Sequence, residues 1–163
     1  MWRNCVLLGA FVVVIGVAAF AWHRARGVVP DDPDEVTLFS IDGMSMLNPV
    51  DRAKPADREL LYEFPVLGRV PITDPELRRR VVTAVKRDLD GSDLEGYLCF
   101  HPRHVLRVVK GGRTTDLVIC FQCNRYRVYV DGKPARAEDL PVGKSSRELL
   151  NQILAGAGVP LAA

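Results

Sequence analysis

The chain lacks the short signatures that announce familiar chemistries. It has no glycine-rich phosphate loop, no H-E-x-x-H and no G-x-S-x-G. Phosphate-loop nucleotide binding, zincin proteolysis and nucleophile-elbow hydrolysis therefore have no motif to rest on. It also lacks a strong charge of either sign, since acidic and basic residues are mixed along it and the net charge is +2. No basic stripe is interleaved with aromatics, so no nucleic-acid partner is indicated. The densest basic cluster, Arg78-Arg79-Arg80, reads as the wet face of a helix. There is no internal repeat and no low-complexity tract.

The informative features begin at the N-terminus. Met1-Trp2-Arg3-Asn4 leads into an uncharged run from Cys5 to Trp22, followed by His23-Arg24-Ala25-Arg26. A hydrocarbon core of roughly 30 Å takes about 20 helical residues. Trp2 and Trp22 stand at the two ends, where indole rings meet headgroups. Residues 1–26 thus read as an N-terminal transmembrane anchor, with residues 5–22 in contact with the membrane. The competing reading is a signal peptide cut after Ala19-Phe20-Ala21, but the length of the run favours retention. Cys5 is not a lipoprotein cysteine, because no apolar core precedes it. Arg3 and the terminal amine nearly balance Arg24 and Arg26, so the charges do not set the orientation. N-terminal anchors usually export the domain that they carry. The expectation is a single-pass membrane protein whose main domain lies outside the cytoplasm.

Residues 27–35 read as an acidic, proline-containing tether. Residues 36–163 then have the length of one domain with a real core. Val36 to Ile41, stopped by Asp42-Gly43, predicts a strand. A second irregular stretch surrounds Pro49 and Pro55. Phe64 to Ile72 is extended, with prolines that suit an edge. Thr73-Asp74-Pro75-Glu76 predicts a helix start, with Thr73 or Asp74 as the cap and Glu76 able to complete a box with Thr73, followed by the stripe Leu77, Val81, Ala84, Val85 and Leu89. Tyr97 to Phe100 reads as a short strand. Val105 to Lys110 and Arg113 to Phe121 flank Gly111-Gly112 and predict a hairpin. Arg125 to Val130 alternates cleanly. A last helix starts at Ser145, with Glu148 completing a box and Leu149, Leu150, Ile153 and Leu154 on its apolar face. The fold class is α+β: an antiparallel meander of about four to six strands, covered on one face by two amphipathic helices.

The hairpin also fixes a register. With Gly111-Gly112 as the turn, Lys110 pairs with Arg113 and Arg107 faces Asp116, an opposite-charge pair worth ~0.2–1 kcal/mol. Leu106 then faces Leu117, Val105 faces Val118, His104 faces Ile119 and Arg103 faces Cys120. Continued outward, Cys99 approaches Asn124 and hence Cys123. Residues distant in sequence converge on one end of the sheet.

Three chemistries compete for that corner. An exported domain is oxidised, and a structural Cys99–Cys123 disulfide would leave Cys120 alone. Alternatively, Cys120-Phe121-Gln122-Cys123 is a C-x-x-C, and Cys99 with His104 would complete a Cys₃His tetrahedron suited to zinc. Against that, Asn124 stands where such turns usually carry glycine. Strict alternation also places His104 and Cys120 on opposite faces, unless Pro102 or a bulge intervenes. The third reading is a thiol-dependent enzyme or redox protein using Cys120 or Cys123 with His104. Its C-x-x-C follows a strand rather than opening a helix. Among lesser candidates, Arg103 beside His104 could form an anion-binding corner, although a surface arginine is commoner. Met44 and Met46 suit a core-packing loop better than a copper site.

Several stretches together carry a resemblance. Phe64 to Val70 (F-P-V-L-G-R-V), Cys99 to His104 (C-F-H-P-R-H) and Asp116 to Cys123 (D-L-V-I-C-F-Q-C) resemble an uncharacterised, planctomycete-type bacterial family with the pattern C-F-x-P-R-H … D-x-V-I-C-F-x-C. Thr37 to Gly43 and Ala157 to Leu161 are similar to it as well. That family tends to carry Asn where His101 stands and Gly where Val105 stands. The resemblance covers most of residues 36–161, and Cys99, Arg103, His104, Cys120 and Cys123 all match. It implies no activity, and that His101 is not a required ligand. The leading expectation is a non-enzymatic, membrane-tethered envelope domain whose Cys/His corner is a disulfide or a small metal or ligand site. The alternatives are the thiol enzyme and a module that binds a protein along the edge strand Phe64 to Ile72.

Overall fold

The computed structural model describes residues 28–44, 59–90, 96–135 and 139–162. The expected anchor, Met46 and the stretch around Pro49 and Pro55 lie outside the described residues. Among the described residues no helix is long and apolar enough to cross a membrane. The elements in chain order are β1 Glu35–Ile41, β2 Leu60–Leu61, β3 Phe64–Pro71, α1 Pro75–Asp90, β4 His104–Lys110, β5 Arg113–Cys120, β6 Arg125–Val130, β7 Lys133–Pro134, β8 Leu140–Pro141 and α2 Arg147–Gly156.

The fold is α+β, with one antiparallel sheet of eight strands in the order β2-β3-β1-β4-β5-β6-β7, and β8 on the far edge of β6. That exceeds the four to six strands read from the sequence. Three of the eight, β2, β7 and β8, are only two residues long, too short to show a periodicity. Nor is the path a simple meander. Both β3 and β4 pair antiparallel with β1 and flank it, so they run the same way. Such strands need a crossover, and α1 lies in that connection. Tyr97 to Phe100, expected as a strand, belongs to none. Leu98 there is 99% exposed, so the run has no neighbouring strand to bury it.

The β4–β5 hairpin has the predicted register, from His104↔Ile119 to Lys110↔Arg113. Gly111 and Gly112 have φ of 57° and 77°, the left-handed pair that a two-residue type I′ turn requires. Arg107 donates two hydrogen bonds to Asp116, at 2.8 and 2.7 Å.

Alternation gives the sheet two apolar faces. Val36, Leu38, Leu106, Val108, Leu117, Ile119, Tyr126 and Val128 meet Val81, Val82 and Val85 of α1 and Leu150 and Leu154 of α2 in the main core. The opposite face gathers Phe39, Ile41, Phe64, Val105 and Val118 under Tyr62 and Phe100. Tyr62 stacks on Tyr129 at 3.6 Å between ring centroids and donates its hydroxyl to Asp116 at 2.6 Å.

One helix cap follows the sequence reading and the other departs from it. Of the two caps read for α1, Thr73 and Asp74, the structure uses Asp74, whose Oδ1 accepts the Leu77 N–H at 2.6 Å. The N-terminus of α2 is held by Asp88 of α1. Its buried carboxylate accepts the N–H and hydroxyl of both Ser145 and Ser146, at 2.5–2.9 Å. The serines donate outward, so Ser145 closes no box with Glu148. Residues 28–34, expected as a tether, lie on the domain: Val29 joins the main core and the Asp34 carboxylate accepts the Gly111 N–H at 2.7 Å. At the other end the chain returns across β1 and β3. Ser40 donates its hydroxyl to the Pro160 carbonyl at 2.6 Å, and Val159 packs against Gly68, where a Cβ would come within 2.7 Å.

Candidate functional site

Five side chains stand out in the sequence, and the fold sorts them by face. His104 shares a parity with Leu106 and Val108, so it points into the helix-covered side. Cys120 shares a parity with Val118 and belongs to the other. The turn after β5 then brings Cys123 back. Asn124 takes φ 54°, the left-handed conformation that asparagine tolerates. Cys99 meets Cys123 there in a disulfide, with Cα atoms 5.8 Å apart. The Tyr97 N–H donates to the Cys123 carbonyl at 3.0 Å and fixes the same approach.

The expected zinc tetrahedron of Cys99, His104, Cys120 and Cys123 is not assembled in this oxidised structure. Two of its sulfurs are bonded to each other. Cys120 is a buried free thiol whose sulfur accepts the Cys123 N–H at 3.2 Å. Burial pushes its pKa up, against smaller opposing pulls from the backbone N–H groups of His101, Cys123 and Gln122. His104 turns away from the thiols. Its Nε2 pairs with Asn151 Oδ1 of α2 at 2.8 Å, and its ring meets Phe121 edge-on, centroids 5.4 Å apart. Among the described residues, the group with metal-ligating atoms in mutual reach is Cys99, His101 and Cys123, all within 4.8 Å.

What His104 faces is a cavity of about 530 Å³. One wall is the segment carrying His101 and Arg103, another the Phe121-Gln122 turn, and a third Lys144 and the first turns of α2, with Arg147 and Asn151. Leu161 and Ala162 line the remaining side. Among the described residues no carboxylate lines it, and Arg103, Lys144 and Arg147 make no ion pair. His104 is only 4% exposed. Burial lowers its pKa to about 4, Arg147 and Arg103 adding to the effect against Asn151, so the ring is neutral at neutral pH. Two buried polar atoms here have no partner, Arg103 Nε and His104 Nδ1.

Comparisons with family models, with curated proteins and with solved structures each returned no match. The meaning of the cavity therefore rests on its own chemistry. Reasoning from sequence found Arg103 and His104 but missed Lys144, Arg147 and Asn151, which come from the far end of the chain. One local signal was available: Arg147, Asn151 and Leu154 recur at helical spacing, placing two polar groups beside an apolar stripe.

Proposed function

We propose that the chain is a membrane-tethered, extracytoplasmic, non-enzymatic domain that holds a small ligand in the cavity beside His104. One observation carries this reading. The Cys99–Cys123 disulfide joins the segment leading into His101 and Arg103 to the turn bearing Phe121 and Gln122, and so ties together two walls of one cavity. A disulfide is at home in an oxidising compartment, which agrees with the apolar N-terminal run. The thiol-enzyme reading has less support: a nucleophile needs a thiolate and a base within reach, whereas Cys120 is buried and His104 is engaged by Asn151.

The test uses the full chain purified in detergent. Peptide mapping without reduction is expected to recover Cys99 linked to Cys123, with Cys120 unlinked. A thermal-shift screen against small anions, hydroxy acids, sugars and amino acids is expected to find a stabiliser whose effect is lost in the Cys99→Ala/Cys123→Ala variant. A screen with no stabiliser would overturn the ligand-holding role.

A second reading also has an observation behind it. If the bridge were reduced, Cys99 and Cys123 would offer two thiolates beside the His101 ring, a donor set suited to zinc. Elemental analysis of the reduced protein, against a His101→Ala variant, decides it.

A further inference from the structure

We infer that the Tyr97–Leu98 tip of the domain lies in the surface of the lipid bilayer that holds the N-terminal anchor. This deepens the membrane-tethered reading and rests on it. A single exposed leucine is ordinary, but this one is held out. Leu98 is 99% exposed and Tyr97 62%, and the chain on either side of them is fastened. Cys99 is bridged to Cys123, the Tyr97 N–H donates to the Cys123 carbonyl at 3.0 Å, and Arg125 donates to the Gly96 carbonyl at 3.5 Å. The stretch is thus pinned at both ends, and the two side chains between the pins stand in water. An aliphatic side chain suits the acyl boundary of a bilayer, and a phenol suits the headgroup level beside it.

The path of the entering chain says which end of the domain faces the bilayer. Arg78, near the start of α1, donates to the carbonyls of Asp34 and Pro33 at 3.0 and 3.4 Å. Lys86, about two turns further along the helix, pairs with Asp31. Residues 31–34 therefore run antiparallel to α1, and the chain before them comes in from the end where that helix stops. The same end carries the tip. There the Gly143 N–H donates to the Asp88 carbonyl at 2.8 Å, the Val142 N–H to the Asn124 carbonyl at 3.1 Å, and the Tyr97 N–H to the Cys123 carbonyl. The apolar run closes at Trp22, and only His23 to Gly27 separate it from Val28, whose neighbour Val29 is already in the main core. Even fully extended, that link reaches at most about 20 Å, against about 35 Å for the breadth of a domain of this size. It is too short to turn the opposite end, with Glu76 and the Gly111-Gly112 turn, towards the bilayer. Two side chains insert weakly by themselves, but tethering raises the effective concentration of lipid so that few contacts suffice.

Tryptophan quenching in phosphatidylcholine vesicles with brominated acyl chains tests the inference, using the full chain reconstituted from detergent. The parent has two tryptophans, Trp2 and Trp22, and both are expected to be quenched, because they stand at the ends of the apolar run. In a Trp2→Phe/Trp22→Phe chain, Leu98→Trp is expected to lose at least about half its emission in brominated relative to ordinary vesicles, and Glu76→Trp almost none. Tyr97→Trp, which exchanges one ring for another, is expected to be quenched as well, and it serves if Leu98→Trp fails to fold. Equal quenching at the tip and at position 76, whether strong or absent, would overturn the inference. With Trp2 and Trp22 quenched in the parent, that result would leave the tethered reading standing. Unquenched Trp2 and Trp22 would sink both.

Discussion

Asp116 is wholly buried, while its partner Arg107 keeps a third of its side chain in water. That asymmetry decides which partner matters more. Removing the guanidinium strands a buried carboxylate with only the Tyr62 hydroxyl, so Arg107→Leu is expected to cost about 3 kcal/mol in urea unfolding. Tyr62→Phe removes one hydrogen bond to a charged group and is expected to cost about 1.5 kcal/mol. His104 couples stability to pH. Its folded pKa lies at about 4, below the ordinary 6.5, chiefly because it is buried. The unfolded chain therefore takes up this proton first. Stability contributed by the neutral ring is complete above 6.5, falls as pH drops towards about 4, and changes no further below that. The loss amounts to about 3 kcal/mol. A His104→Gln variant, compared with the parent across this window, is expected to show a shallower decline by that amount.

Among the elements, the β4–β5 hairpin was the most legible. Its register needed only a two-residue glycine turn, period-two apolar residues and one opposite-charge pair, all within Val105 to Val118. Because Gly111 and Gly112 both take positive φ, Gly112→Val is expected to cost about 1–2 kcal/mol, whereas Gly111→Asn is expected to be tolerated. The cap of α2 was illegible for the complementary reason. Ser145 and Glu148 fit a local box, yet the group that holds the serines is Asp88, 57 and 58 residues away. No local pattern encodes such a contact. Asp88→Ala is expected to cost at least about 2 kcal/mol and to speed amide exchange in the first turn of α2 more than in β4 or β5. Tyr97 to Phe100 failed in a third way: its apolar residues mimic a strand, but the stretch is fastened by the Cys99 sulfur and one backbone hydrogen bond rather than by a ladder.

At the scale of the whole molecule, the disulfide and the cavity are one construction. The bridge spans 24 residues, and its loss is expected to cost about 3 kcal/mol, read as the difference between parent and Cys99→Ala/Cys123→Ala in urea unfolding. The thiol pairing was legible because it follows from extending one hairpin. The cavity was not, because its walls come from four places that only the complete fold brings together. The last of them has a consequence for solvent access. Pro160 fastens to Ser40, and Leu161 and Ala162 close the side of the cavity. A variant cut after Val159 would keep its entire sheet and both helices, yet that side of the hollow would stand open to water.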